Sequence, residues 1–170
     1  MDDWVHVFDF DGTLYLTSEC VYVWSPRGDI KIDGKHCFRL HSSEYCITNL
    51  CNDEYVNEAS FQNFRSVNWD KAIEIIPVLN IFHKQSNKKI LSARPQDIEP
   101  QIKSRIHGEF EFIGLGDGNP YSKIDFMEKI DSEKIIYEDS ISVIDLCIKN
   151  SIKCCHVSQE SGKTSLIYYI

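Results

Sequence analysis

Acidic side chains stand directly after two apolar segments of the chain. Asp9 directly follows the run WVHVF, and Asp11 stands two residues further on. Glu138 and Asp139 follow the run KIIY. Residues two apart on an extended segment share a face, so Asp9 and Asp11 can point into one site. Four carboxylates brought together repel one another strongly, and a hard divalent cation removes that repulsion. The pattern therefore predicts a Mg²⁺ centre built from these acids.

A second group of side chains suits an anionic substrate. The predicted strand that begins at Lys89 ends at Ser92, and Ala93 and Arg94 follow it. A serine hydroxyl can donate a hydrogen bond, and an arginine can bind an anionic oxygen bidentately. Lys123 opens the helix before the second acidic segment and can neutralise phosphate charge. These residue types point to a substrate that carries a phosphate group.

Alternating strands and helices are predicted to position these residues. We expect strands at 4–8, 89–92, 110–114, 134–137 and 152–157, and helices at about 70–84, 96–106, 121–130 and 140–149. This order predicts an α/β fold, Rossmann-like, with a mainly parallel sheet and helices on both faces. In such a sheet the chemistry collects at the carboxyl ends of the strands, where the polar motifs stand.

An insertion of about 16–69 separates the first predicted strand from the rest of the single domain, 1–170. Its central part alternates and contains two turn signals, so it predicts a small β-meander cap with strands near 20–24, 29–33 and 36–40. Ser42 or Ser43 is a candidate cap of a short helix, and the stretch 50–68 is expected to be loop.

The charge of the insertion differs from that of the whole chain. Residues 21–41 carry four basic and two acidic side chains, a net of +2, whereas the chain as a whole is at −8. The overall charge excludes a general nucleic-acid coat protein, which would be basic. The basic residues are either ordinary solvated strand positions or a surface that overhangs the site and receives an anionic substrate. They are Arg27, Lys31, Lys35 and Arg39.

The composition is that of an ordinary globular protein. Hydrophobic residues make up 42% and charged residues 26%. No apolar run approaches the length of a membrane span, and the acidic start does not resemble a secretory signal, so we expect a cytoplasmic protein without a membrane partner. The chain has 7 cysteines without a C-x-x-C pair, which predicts reduced and mostly buried thiols.

In order and spacing, the motifs resemble those of the haloacid dehalogenase superfamily phosphatases. The segment VFDFDGTL around Asp9 is similar to the first motif, ILSARP around Ser92 to the second, Lys123 to the third, and Glu138-Asp139-Ser140 to the fourth. The resemblance covers nearly the whole chain. The stretch 115–120 and the end of the meander, 39–45, also resemble small phage and bacterial members of this superfamily.

The resemblance implies a catalytic role for each motif. Asp9 would attack phosphorus and form an aspartyl-phosphate, and Asp11 would protonate the leaving oxygen and then activate water. Asp9, Asp139 and the backbone carbonyl of Asp11 would hold Mg²⁺. Glu138 stands where the family more often has Asp, and its longer side chain suits a metal contact through water. The phosphoryl group would be held by the second and third motifs: Ser92, Ala93, Arg94 and Lys123.

The expected activity is that of a magnesium-dependent phosphomonoester hydrolase. The Ser92-Ala93-Arg94 run resembles the phosphatase half of phage polynucleotide kinase. This likeness makes a nucleotide or nucleic-acid terminal 3′-phosphate the leading substrate class. The alternatives are a phosphatase of a small metabolite or phosphoprotein, and a non-catalytic binding module that retains the fold. The sequence carries no signal for an oligomeric state.

Overall fold

The computed structural model describes residues 3–41 and 48–170. The strands are β1 (Val5–Phe8), β2 (Tyr15–Leu16), β3 (Cys20–Trp24), β4 (Ile30–Ile32), β5 (Lys35–His41), β6 (Tyr55–Val56), β7 (Ile73–Glu74), β8 (Lys88–Ser92), β9 (Glu111–Gly114), β10 (Lys134–Glu138), β11 (Cys154–Glu160) and β12 (Lys163–Tyr169). The helices are α1 (Ile76–Lys84), α2 (Glu99–Arg105), α3 (Pro120–Glu128) and α4 (Ile141–Lys149), with 3₁₀ helices at Glu58–Arg65 and Gln96–Ile98.

A mostly parallel sheet forms the centre of the described chain. Its strand order is β12-β11-β10-β1-β8-β9. All neighbours pair in parallel except β11 and β12, which form an antiparallel hairpin. The predicted α/β class with a mainly parallel sheet is therefore confirmed. The chain was expected to end its sheet at 152–157, and β12 was missed.

Helices cover both faces of this sheet because β1 is apolar on both sides. All four of its residues are buried. Phe8 packs into one cluster with Val78 of α1 and Ile102 of α2. Val7 packs into the other cluster, with residues of α3 and α4 that include Ile124. Successive strand residues alternate between the two faces, so one short strand anchors both layers.

The insertion forms its own sheet, with strand order β4-β5-β3-β6. The three predicted strands are present, but they do not form a simple meander, because β5 lies between β3 and β4. The chain crosses over β5 between Trp24 and Ile30, which both pair with Cys37. Gly28 permits this crossing, since a Cβ atom there would lie 2.3 Å from the backbone of Cys37.

Two further expectations about the insertion need correction. The stretch 50–68, expected to be loop, contains β6 and the 3₁₀ helix Glu58–Arg65. The helix expected from Asp70 begins only at Ile76, where Pro77 occupies the first turn. The residues before it form β7, which pairs with β2 as a two-stranded stem. The candidate caps Ser42 and Ser43 lie outside the described residues.

No helix in the described part of the chain is long and apolar enough to cross a membrane. All the described cysteines are free thiols, and apart from the exposed Cys51 they are buried, as the composition predicted.

Candidate active site

The acidic motifs meet at the carboxyl ends of two neighbouring strands. Asp9 directly follows β1, and Glu138 and Asp139 stand at the end of β10. From β1 the sheet continues through β8 to β9 on one side, and through β10 to β11 on the other. The chain segments that follow neighbouring strands here lead to opposite sides of the sheet. In sheets of this kind, such a divergence opens a crevice beyond the carboxyl ends of the strands, and ligands bind there.

Gly12 allows Asp139 to approach the first acidic motif closely. Its φ of +81° lies in the left-handed region that favours glycine. Its N–H donates to the carbonyl of Tyr15 at 2.7 Å, which closes a tight turn after β1. A Cβ atom on Gly12 would lie 2.2 Å from Oδ2 of Asp139. Any side chain at this position would therefore displace the carboxylate of Asp139.

Lys123 joins the two acidic motifs. Asn119 accepts a hydrogen bond from the N–H of Tyr121 and so caps α3, which places Lys123 in its first turn. The buried Nζ atom of Lys123 donates to Oδ1 of Asp9 at 2.7 Å and to Oε2 of Glu138 at 2.6 Å. Oε1 of Glu138 accepts the backbone N–H of Ser140 at 3.1 Å. Glu138 is thus held at both oxygens.

Three carboxylates are close enough to share a cation. Oxygens of Asp9, Glu138 and Asp139 all lie within 4.8 Å of one another. With the single positive charge of Lys123, the ionised cluster retains two formal negative charges. Oxygen donors and this residual charge suit a hard divalent cation such as Mg²⁺. The side chain of Asp11 lies outside this group, so its expected metal contact through the backbone carbonyl stays a prediction.

Burial and mutual repulsion oppose ionisation of the cluster. Burial raises the pKa of Asp9 from 3.8 to about 7, Glu138 adds to the rise, and Lys123 opposes it. Burial likewise raises the pKa of Asp139, followed by the charges of Glu138 and Asp9. Burial works against the charged form of Lys123, but Asp9 and Glu138 outweigh it and raise its pKa. Lys123 therefore stays positive at every pH of interest.

We expect the affinity for Mg²⁺ to rise steeply with pH. Between about pH 4 and pH 7, Asp9 carries a proton in the folded protein but not in the unfolded chain. The free energy of unfolding therefore falls as pH rises through this range. Mg²⁺ needs the carboxylate, so at about pH 5.5 its apparent affinity should be weaker than at about pH 8 by a factor on the order of 30. Calorimetric titration at both pH values measures this. Equal affinities would contradict it.

The expected role of Arg94 is revised by its contacts. Its side chain is buried, and all five of its N–H groups are used within the protein. Nε and Nη2 donate to Asp11 at 2.9 and 2.7 Å, and Nη2 also donates to Glu19 at 2.7 Å. Nη1 donates to the carbonyls of Phe64 and Ser66 at 3.2 and 2.9 Å. Arg94 therefore positions Asp11 and ties the insertion to the sheet, and it has no donor left for a phosphoryl oxygen.

The other residues of the second motif differ in their access to the site. Ser92 is fully buried and does not line the cavity, and its hydroxyl accepts the N–H of Arg94 at 3.1 Å. Ala93 lines the cavity. The predicted phosphate contact of Ser92 therefore stays a prediction, whereas Ala93 and Lys123 line the space beside Asp9.

The four basic residues of the segment 21–41 do not line this cavity. Val21 lines the cavity and pairs with Leu40 on β5, so side chains at alternate positions of β5, Lys35 and Arg39, point to the opposite face. Lys31 is exposed and, like them, is not among the residues that line the cavity. Arg27 pairs with Asp53 and Glu54 at 2.7 and 2.9 Å. Of the two alternatives, this arrangement favours ordinary solvated strand positions, and the reception of an anionic substrate by this surface stays a prediction.

Sequence reasoning missed the partners of Asp11. Thr17 donates to Oδ1 of Asp11 at 2.5 Å, and Glu19 meets Asp11 through Arg94. Both residues lie just after the first motif, and their polarity in a stretch next to a buried strand was the available signal. Phe61 and Phe64, which line the cavity, were also missed, because the 3₁₀ helix that carries them was expected to be loop.

No protein-family model, curated protein or solved structure matches the chain. A function for this site therefore has to be argued from the geometry of its own residues.

Proposed function

We propose that the chain is a metal-dependent phosphomonoester hydrolase of the haloacid dehalogenase type, with Asp9 as its nucleophile. The observation that carries the proposal is the contact of Asp9 with Lys123 beside Glu138 and Asp139. It joins a carboxylate, a fixed cation and a cation-binding group at one crevice. Phosphate esters need these three parts for attack and charge neutralisation.

The proposed reaction has two steps. In the first, an oxygen of Asp9 attacks phosphorus, the ester P–O bond breaks, and Asp11 gives its proton to the leaving oxygen. In the second, a water molecule gives a proton to Asp11 and attacks phosphorus, the bond to Asp9 breaks, and inorganic phosphate leaves. Oδ2 of Asp11 is the suitable proton carrier, because among the described residues only Nε of Arg94 donates to it.

The remaining residues of the site neutralise the charge of the phosphoryl group and orient it for attack. Lys123 uses two of its three N–H groups on Asp9 and Glu138, which leaves one for a phosphoryl oxygen. Asp9 and Asp139 are the best candidates for direct metal ligands, because Glu138 is held at both oxygens by the protein. A divalent cation bound there would lower the charge barrier between the carboxylate and the phosphate.

The test is phosphate release from p-nitrophenyl phosphate by protein dialysed against chelator. We expect no turnover without metal, turnover on addition of Mg²⁺, and inhibition by Ca²⁺, whose looser coordination displaces the attacking carboxylate. Full activity in excess EDTA would overturn the metal-dependent mechanism. Mg²⁺ binding without release from any phosphate ester would favour the non-catalytic binding module.

A further inference from the structure

Arg65 lines the cavity of the candidate active site at the end of the 3₁₀ helix in the insertion. The carbonyls of Phe64 and Ser66, on either side of it, accept hydrogen bonds from Nη1 of Arg94 at 3.2 and 2.9 Å. The carbonyl of Arg65 itself accepts the side-chain amide of Gln101 at 3.2 Å. Three successive carbonyls are thus held by side chains from outside the insertion. The backbone of Arg65 is therefore anchored to the same side chain that orients the proposed proton carrier.

The guanidinium of Arg65 is only partly used by the protein. Nη1 donates to Oδ2 of Asp97 at 2.8 Å, and no acceptor among the described residues takes the N–H groups of Nε and Nη2. These two nitrogens form an edge that binds a carboxylate or a phosphate bidentately. The pair with Asp97 is exposed on both sides, and exposed pairs contribute little to stability. An anion can therefore take the unused edge, or replace Asp97, at little cost.

Gln62 supplies a further donor on the same side of the helix. It precedes Arg65 by three residues and also lines the cavity. Side chains at i and i+3 of a 3₁₀ helix eclipse, so the amide and the guanidinium stand in one column. The side chain of Gln62 is exposed and forms no hydrogen bond with the part of the chain that the structure describes. Its NH₂ group can therefore join the guanidinium edge of Arg65 on one anion.

The other cations of the cavity are committed elsewhere. Of the described residues that line it, these are Arg94 and Lys123. Arg94 uses all of its N–H groups within the protein, and Lys123 has one left, which the proposed reaction assigns to the phosphoryl group. The cavity volume of about 650 Å³ lies within the range of pockets that enclose whole organic ligands. The cavity therefore has room for a substrate with its phosphoryl group at Lys123 and another anionic group at Arg65.

We propose that the substrate carries a second anionic group, a phosphate or a carboxylate, and that Arg65 binds it. The inference rests on the proposed function, in which the phosphoryl group beside Asp9 fixes one end of the substrate. Two kinds of substrate share this chemistry: a small molecule with two anionic groups, and a nucleic-acid strand whose next phosphate follows the terminal one. A phosphate ester of a neutral alcohol would leave the guanidinium edge of Arg65 unused.

Binding to Asp9→Asn protein tests the inference without turnover. Calorimetric titration with Mg²⁺ compares two matched pairs of probes: 3-phosphoglycerate with glycerol 3-phosphate, and adenosine 3′,5′-bisphosphate with adenosine 3′-monophosphate. In at least one pair, we expect the probe with the second anionic group to bind more tightly, by about 5- to 50-fold. Adding Arg65→Met should remove this preference and leave the affinity for the other probe of the pair unchanged.

Asp97→Asn should act in the opposite direction. Asp97 competes with the substrate for the guanidinium of Arg65, so its loss should raise the preference by about 2- to 5-fold. A merely structural role of the ion pair would give both variants the same effect, because each of them breaks it. Arg105→Met is the matched control: Arg105 is an exposed arginine of α2 that does not line the cavity. Its substitution removes the same charge from the chain and should leave the preference unchanged.

A third pair of probes distinguishes the two kinds of substrate. A thymidine dinucleotide with a 3′-phosphate is compared with its methylphosphonate analogue, which lacks the charge between the two nucleosides. A preference that depends on Arg65 in this pair alone assigns the second anion to a strand, and a preference in the other pairs assigns it to a small molecule. The absence of a preference in all three pairs, or a preference that survives Arg65→Met, would overturn the inference.

Phosphate release from the same probes by the wild-type protein separates this inference from the proposed function. A binding preference that depends on Arg65, without hydrolysis of any ester, would leave the inference standing and refute the hydrolase. Hydrolysis without such a preference would do the reverse.

Discussion

Asp9→Asn protein should fold normally and release no measurable phosphate. An amide does not form an acyl-phosphate, so the first step of the proposed reaction is lost, with a fall in kcat on the order of 10⁴-fold or more. Stability should not suffer at neutral pH, because burial, followed by the charge of Glu138, raises the pKa of Asp9 to about 7 and so opposes its charged form in the folded protein. Phosphate release and thermal unfolding, measured on the same preparation, check both parts.

Asp145→Asn is the control for this variant. Asp145 is an exposed aspartate on α4 that does not line the cavity, and its substitution should leave kcat unchanged. Appreciable turnover by correctly folded Asp9→Asn protein would exclude the aspartyl-phosphate mechanism.

Arg94→Met should lower the free energy of unfolding by about 3–5 kcal/mol. The substitution keeps a long apolar stem but leaves the side chains of Asp11 and Glu19, which are 8% and 7% exposed, without their shared cation. It also removes the donors to the carbonyls of Phe64 and Ser66. Urea unfolding measures the loss, and kcat should fall as well because Asp11 is no longer oriented.

Arg65→Met gives the matched comparison. Arg65 also pairs with one aspartate, Asp97, but both side chains are more than half exposed. Exposed pairs contribute about 0–1 kcal/mol, so this variant should remain close to the wild type. A loss below about 1 kcal/mol for Arg94→Met would show that the insertion is held mainly by other contacts.

The acidic motifs were predictable because their signal is local. Asp9 directly follows a buried strand, and the spacing to Asp11 places both on one side of an extended segment. The turn signal at Asp33-Gly34 similarly located the hairpin of β4 and β5, where both residues have positive φ. Short-range patterns of this kind require only the backbone preferences of the residues concerned.

Long-range pairing was not readable in the same way. No residue pattern near β10 indicates that this strand lies beside β1. Likewise, no pattern near Arg94 indicates that its guanidinium pairs with Glu19, 75 positions away. The hairpin of β11 and β12, in contrast, could have been predicted from the sequence. Ser161 and Gly162 form a two-residue loop with positive φ between alternating segments, which is a recognised hairpin signal.

The two-stranded stem of β2 and β7 bears on how such a chain can change over evolution. The insertion leaves from β1 and returns before β8, and these strands are neighbours in the central sheet. Lengthening the segment between its two ends carries only a small entropic cost. The segment can therefore grow without loss of the sheet, provided that it still supplies an acid and two carbonyls for Arg94.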